Sequence, residues 1–212
     1  MVAANTTTYQ NNGLSASTPY FYRVRATNAV GNSAYTAVAT AATGAATGGG
    51  TGGVAIVVDG NGADWSTVTP LTTSGAGGVT GLKVYGDASY LYVLATGATN
   101  TNYSVFIDSD NATATGFKAG LWNPEGSDYV LENGVLHKYS GSGQNWSWST
   151  VGVSQGGILA VKTAGVLEIR IPRASLAGSG ASLRLGVDIE NASWTTVGTI
   201  PASGSAQATF AF

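Results

Sequence analysis

The sequence predicts an all-β protein: an antiparallel β-sandwich or jelly-roll of about ten strands, preceded by a partial β-hairpin. Three observations predict it. From residue 54 onward, short apolar runs with period-two alternation recur at intervals of roughly eight to twelve residues, the spacing of sandwich strands. The segments between them are rich in Gly, Ser, Thr and Asn, and the chain holds 31 glycines in 212 residues, so turns are plentiful. Only ASLAG at 174–178 reads as a helical turn.

In chain order, TPYFYRVRATN at 18–28 sets Tyr20, Tyr22, Val24 and Ala26 against Phe21, Arg23, Arg25 and Thr27, a strand pattern. AVGN at 29–32 is a turn and SAYTAV a second strand. One such hairpin is marginal by itself. AATGAATGGGTGG at 41–53 contains no large side chain and reads as a linker. VAIVVDG opens the larger part, 54–212, and TGLKVYGD (80–87), SYLYVLATG (89–97) and NYSVFIDSD (102–110) follow as strands. DYVLEN and VLHKYS form a hairpin around Asn133-Gly134, a pair that favours the tight turn between two strands. WSWSTV, GILAVKT, GVLEIRIP, SLRLGVDIE and AQATFAF complete the set. Two packed layers would bury alternate side chains between them.

Composition excludes several functions. Charged residues are 9% of the chain and the net charge is −2, so there is no basic footprint for nucleic acid. The absence of cysteine removes disulfides, thiolate metal sites and cysteine nucleophiles, and a single histidine, His137, rules out a multi-histidine cluster. No apolar run reaches membrane-spanning length, so no membrane partner is expected. MVAANTTTYQ is too polar for a signal peptide, which leaves an intracellular protein or a piece of a longer secreted one. A surface of Ser, Thr, Asn and Gly suits a monomer in an extracellular setting that meets neutral ligands.

Three constellations offer chemistry. In VVDGNGADW, Asp59 and Asp64 flank a Gly-rich turn, where they either cap it or supply oxygens to a hard cation such as Ca2+. In FIDSDNATATGF, Asp108 and Asp110 stand two apart at a strand end, with Asp128 or Asp87 as a distant partner; calcium and an Asx-turn are both open. The third is SDYVLENGVLHKYSGSGQNWSW, 127–148. Trp146 and Trp148 fall two apart on one face, with Trp122, Tyr129, Tyr139 and Trp194 elsewhere, more large aromatics than one core corner needs. Indole and phenol planes stack on the apolar face of a sugar ring, while Glu132 and Lys138 can hydrogen-bond hydroxyls. The alternative is that the tryptophans fill the sandwich. Asp188 and Glu190 on one strand face, or Glu168, leave a glycoside hydrolase open. Tyr139 with His137 leaves a polysaccharide lyase open. There is no G-x-S-x-G elbow and no phosphate loop.

Two resemblances bear on this. LSASTPYFYRVRATNAVGNSAYT, 14–36, resembles the last two strands of a fibronectin type III domain, with Leu14 and Tyr20 at that family's leucine and corner-tyrosine positions. It implies that Tyr22, Val24 and Ala26 are buried and that residues 1–40 are the end of such a domain. VDGNGADW, FIDSDNATATGF, GSDYVLENGVLHKYSGSGQNWSW and GVLEIRIPRASL together are similar to family-9-like carbohydrate-binding modules, within a DOMON-like sandwich group. That resemblance implies non-catalytic binding of a polysaccharide or oligosaccharide. It further implies secretion and a covalently attached catalytic domain. It maps a structural calcium onto Asp59 and Asp64, makes Trp146 and Trp148 the candidate sugar-binding tryptophans, and makes Glu168 structural.

Overall fold

A computed structural model describes residues 19–42, 54–97, 102–153 and 157–212. Leu14 and most of the expected linker, 43–53, lie outside them. The chain divides into two units, Met1–Gly53 and Val54–Phe212.

The first unit contains a hairpin. β1 (Pro19–Tyr22) pairs antiparallel with β4 (Ala39–Ala42), and β2 (Thr27–Asn28) with β3 (Gly31–Asn32). The turn closes because Asn28 Oδ1 accepts the backbone N–H groups of Val30 and Gly31, at 2.9 and 3.1 Å. Val24 is 67% exposed and Ala26 is also exposed, while Tyr20 and Tyr22 are half-buried. This corrects the expectation that Val24 and Ala26 are buried. A two-stranded ribbon presents both faces to water unless a second layer covers one.

Among the described residues the second unit carries eleven strands, β5 (Gly81–Gly86), β6 (Tyr90–Thr96), β7 (Asn102–Asp108), β8 (Tyr129–Glu132), β9 (Val135–Tyr139), β10 (Trp148–Val153), β11 (Leu159–Thr163), β12 (Val166–Pro172), β13 (Ser182–Glu190), β14 (Thr196–Ile200) and β15 (Ala208–Ala211). They form two antiparallel sheets. One runs β11-β12-β6-β5, and the other runs β10-β9-β8-β7-β13, with β14 and β15 both paired to the free edge of β13. Alternation does the layering. Leu91, Val93, Leu167, Ile169 and Ile171 from the smaller sheet meet Val105, Ile107, Leu131, Leu136, Leu183, Leu185 and Val187 from the larger one, all fully buried. Each such side chain contributes about 1.5–3 kcal/mol of burial. Asn133 (φ 46°) and Gly134 (φ 88°) make the two-residue β8–β9 turn, both left-handed as that turn demands.

Two differences from the sequence reading have clear causes. Residues 54–58 are not a strand; they lie irregularly with Val54, Ile56 and Val58 packed on the outer face of the smaller sheet, against Tyr85, Tyr92, Leu94 and Trp65. TVGTI at 196–200 is a strand, β14, although its alternation is short and interrupted by Gly198. It forms because β13 is nine residues long and offers more edge than β15 covers.

Candidate functional site

The outer face of the larger sheet is defined by parity. With Tyr103, Val105, Ile107, Tyr129, Leu131 and Leu136 turned into the core, their neighbours Ser104, Phe106, Val130, Glu132, His137 and Tyr139 face out. Trp148 stands directly opposite Tyr139 across the β9–β10 ladder, so it shares that face.

At one end of this face the aromatics form a small core of their own. Phe106, Phe117, Trp122 and Val130 are buried, with Tyr139, Trp148 and Leu121 packed around them. The β7–β8 connection folds back over the sheet to deliver Phe117 and Trp122, held by reciprocal backbone bonds between Phe117 and Ser127 of 2.8 and 3.0 Å. Gly186 makes room: a β-carbon there would stand 2.5 Å from the Trp122 ring. The Trp122 indole N–H then donates to the Pro201 carbonyl at 3.0 Å. Trp122 is 3% exposed and Tyr129 1%, so neither can stack on a ligand, which corrects their assignment as binding residues. Lys138 stands apart from these aromatics. It belongs to the opposite parity from Tyr139, and its ammonium lies 5.9 Å from the inward-facing Tyr129 ring.

What remains open to solvent is Trp146, 58% exposed, with Tyr139 and Trp148 half-buried beside it. Trp146 packs edge-on against Phe117 (ring centroids 5.2 Å, 84°) and Trp148 (5.4 Å, 70°). Edge contact anchors one side of the indole and leaves much of it uncovered. The β9–β10 loop holds it there. The Tyr139 hydroxyl donates to the Asn145 carbonyl at 3.0 Å, and Ser140 N–H donates to the Ser147 carbonyl at 2.9 Å.

Beyond the aromatics the same face becomes acidic. Glu132 lies 3.7 Å from His137 Nε2. The Ser104 hydroxyl donates to Glu190 at 3.1 Å, and the Thr196 hydroxyl donates to Asp188 at 3.0 Å. Burial, reinforced by the Glu190 charge, pushes the Asp188 carboxyl up to about 7, and burial raises Glu190 as well. Among the described residues, Asp188 Oδ1 has no donor aimed at it.

The aspartates fall in two places. Asp59 accepts Asn61 N–H at 2.8 Å, and Asp64 accepts Val57 N–H at 2.6 Å, each shaping the opening segment. Among the described residues, neither belongs to a cluster of three possible ligands. Asp108, Asp110 and Asp128 do: one oxygen of each lies within 4.8 Å of the others. The β8 entry brings Asp128 across from Asp108 in the sheet register. Asp128 accepts Ser109 N–H and hydroxyl at 2.9 Å each, Asp110 accepts Ala112 N–H at 2.9 Å, and Asp108 is paired with Arg184. Burial raises Asp108 and Asp128 above ordinary aspartates.

Glu168 sits on the outer face of the other sheet, fully buried. It accepts the Trp65 indole N–H at 2.7 Å and the backbone N–H groups of Asp59 and Gly60 at 3.0 and 2.5 Å. Those bonds fasten the opening segment down, a structural role.

No protein-family model matches the chain, and no curated protein matches it. Among solved structures it is similar to a carbohydrate-binding module of family 9 from Caldicellulosiruptor kristjanssonii, determined in complex with cellotriose. Identity is 18%, with 68% of this chain and 78% of that one covered, at a TM-score of 0.37.

Proposed function

We propose that the 54–212 unit is a non-catalytic carbohydrate-binding module. The observation that carries this reading is Trp146: an indole 58% exposed, braced edge-on by a buried aromatic cluster, beside half-exposed Tyr139 and Trp148. A braced ring loses little side-chain freedom on stacking, so more of the contact energy appears as affinity. Glu132 and His137 lie on the same face with groups able to bond hydroxyls. The ligand is an oligosaccharide or polysaccharide. The module serves a secreted protein, tethered to a catalytic domain that it holds at its substrate, and the 19–42 hairpin is the end of a fibronectin type III-like domain.

Asp108, Asp110 and Asp128 hold a structural calcium ion in this reading. Three convergent carboxylates are an oxygen-only donor set of the kind a hard cation prefers, and with Arg184 counted they retain net negative charge. The ion would tie the start of the β7–β8 connection to β8.

Isothermal titration against a panel of soluble glycans tests the binding reading. Heat with at least one glycan, lost in Trp146→Ala with the melting midpoint unchanged, is the expected result. A folded protein that gives no heat with any glycan refutes it.

A further inference from the structure

Trp194 is the second large aromatic that the sandwich unit leaves in water, 51% exposed, and it has no part in the aromatic cluster around Trp146. It sits at the tip of the β13–β14 hairpin with φ 58°. A bulky residue in the left-handed region is an outlier; Gly, Asn and Asp adopt it at far lower cost. Among the described residues the indole makes no hydrogen bond and no ring contact.

The turn that imposes this conformation is well fastened. Asn191 Oδ1 accepts the N–H groups of Ser193 and Thr195 at 2.9 and 3.0 Å, and Trp194 N–H donates to the Asn191 carbonyl at 3.0 Å. An amide relay roots it in the sheet: Asn102 Nδ2 donates to the Asn191 carbonyl and Asn133 Nδ2 to Asn102 Oδ1, each at 3.0 Å. A turn this constrained asks for Gly or Asn at position 194. It holds the residue with the largest flat surface instead, displayed on a fixed backbone.

The sheet register locates this tip relative to Trp146. Trp148, Tyr139, Asp128, Asp108 and Arg184 lie in one row across the sheet, and Glu190 is six residues along β13 from Arg184. Four strand spacings across and six residues along separate the two ends by roughly 25–30 Å. Between them the outward face carries half-buried His137 and Glu132, while Phe106, Val130, Ser104 and Glu190 are buried.

We infer that Trp194 is a second stacking residue, so that the larger sheet takes a linear chain of several sugar units along its outer face, with an indole engaging each end. The inference rests on the carbohydrate reading and narrows it. The ligand is an extended segment of chain rather than a single terminal sugar, and the hydroxyls of its middle units meet Glu132 and His137.

The test measures affinity against chain length, using disaccharides and hexasaccharides of the cello-, xylo- and manno-series with the parent protein, Trp194→Asn and Trp146→Ala. The parent should bind the hexasaccharide of its preferred series at least tenfold more tightly than the disaccharide. Trp194→Asn should lose most of that advantage and keep the disaccharide affinity, while Trp146→Ala loses both. Because Asn tolerates the left-handed conformation, Trp194→Asn should also melt about 2–4 °C higher than the parent. Equal hexasaccharide affinity in Trp194→Asn and the parent overturns the inference and leaves the carbohydrate reading standing. A parent that binds no sugar of any series or length overturns both. A lowered melting midpoint in Trp194→Asn shows that the indole packs for stability, and refutes the claim that it is displayed at a structural cost.

Discussion

Glu125 lies in the β7–β8 connection that covers the aromatic cluster, and it is 4% exposed. The Ser127 hydroxyl donates to its Oε1 at 2.9 Å, while among the described residues Oε2 has no donor in hydrogen-bonding geometry. Burial pushes its carboxyl from 4.5 up to about 7; Ser127 and the amides of Gly120 and Trp122 pull the other way but by less. The folded state therefore keeps a proton that the unfolded chain has released between those two values. Stability from this group is fully present below about pH 4.5 and lost as the pH rises toward about 7. At about 1.4 kcal/mol per tenfold, the cost at pH 8 is about 3 kcal/mol. Gln reproduces the protonated acid and cannot ionise, so Glu125→Gln should match the parent near pH 4. At pH 8 it should exceed the parent by about 3 kcal/mol, which is roughly 5–10 °C in melting midpoint. Thermal and urea melts of both proteins from pH 4 to 9 measure the difference, in which the similar titration of Asp188 cancels. Parent and variant following parallel curves over the whole range would refute the buried-acid account.

Three further outcomes are expected. Glu168→Ala strands the Trp65 indole N–H and two backbone N–H groups, and should cost about 3–5 kcal/mol in urea unfolding; a loss under 1 kcal/mol would mean the opening segment is held by its apolar contacts alone. Gly186→Ala forces a methyl into the Trp122 ring and should destabilise by about 1–3 kcal/mol, with a red-shifted tryptophan emission as the ring is displaced. Calcium should raise the melting midpoint, and chelator should lower it, through Asp108, Asp110 and Asp128. Asp110→Asn should abolish that response, and a midpoint indifferent to both additions removes the metal from the account.

The alternation of apolar and polar residues, with turn chemistry such as Asn133-Gly134, was enough to read the all-β class, the sandwich and ten of the eleven strands among its described residues directly from the sequence. Period two is a local property, and the face a side chain takes follows from its neighbours. That Tyr129 and Leu131 oppose Val130 and Glu132 was likewise legible. The sheet that covers each face was not. Trp122, Phe117 and Trp146 all lie in connections, where no period constrains direction, so sequence could not separate the buried indole from the displayed one. Only the fold-back of residues 109–127 decided it, and the signal available beforehand was a glycine, Gly186, at the centre of a nine-residue strand.

The same division holds for the charged groups. The sequence by itself determined that carboxylates cluster at a strand end and that Asp188 and Glu190 share a face. Tertiary structure decided that Asp128 joins Asp108 and Asp110, that Arg184 neutralises one of them, and that Glu168 serves the opening segment more than a hundred positions away in the chain. Side-chain direction is written locally, by strand parity. Exposure and partnership depend on which distant segment arrives at each face, and arrival is set by packing of the whole sandwich.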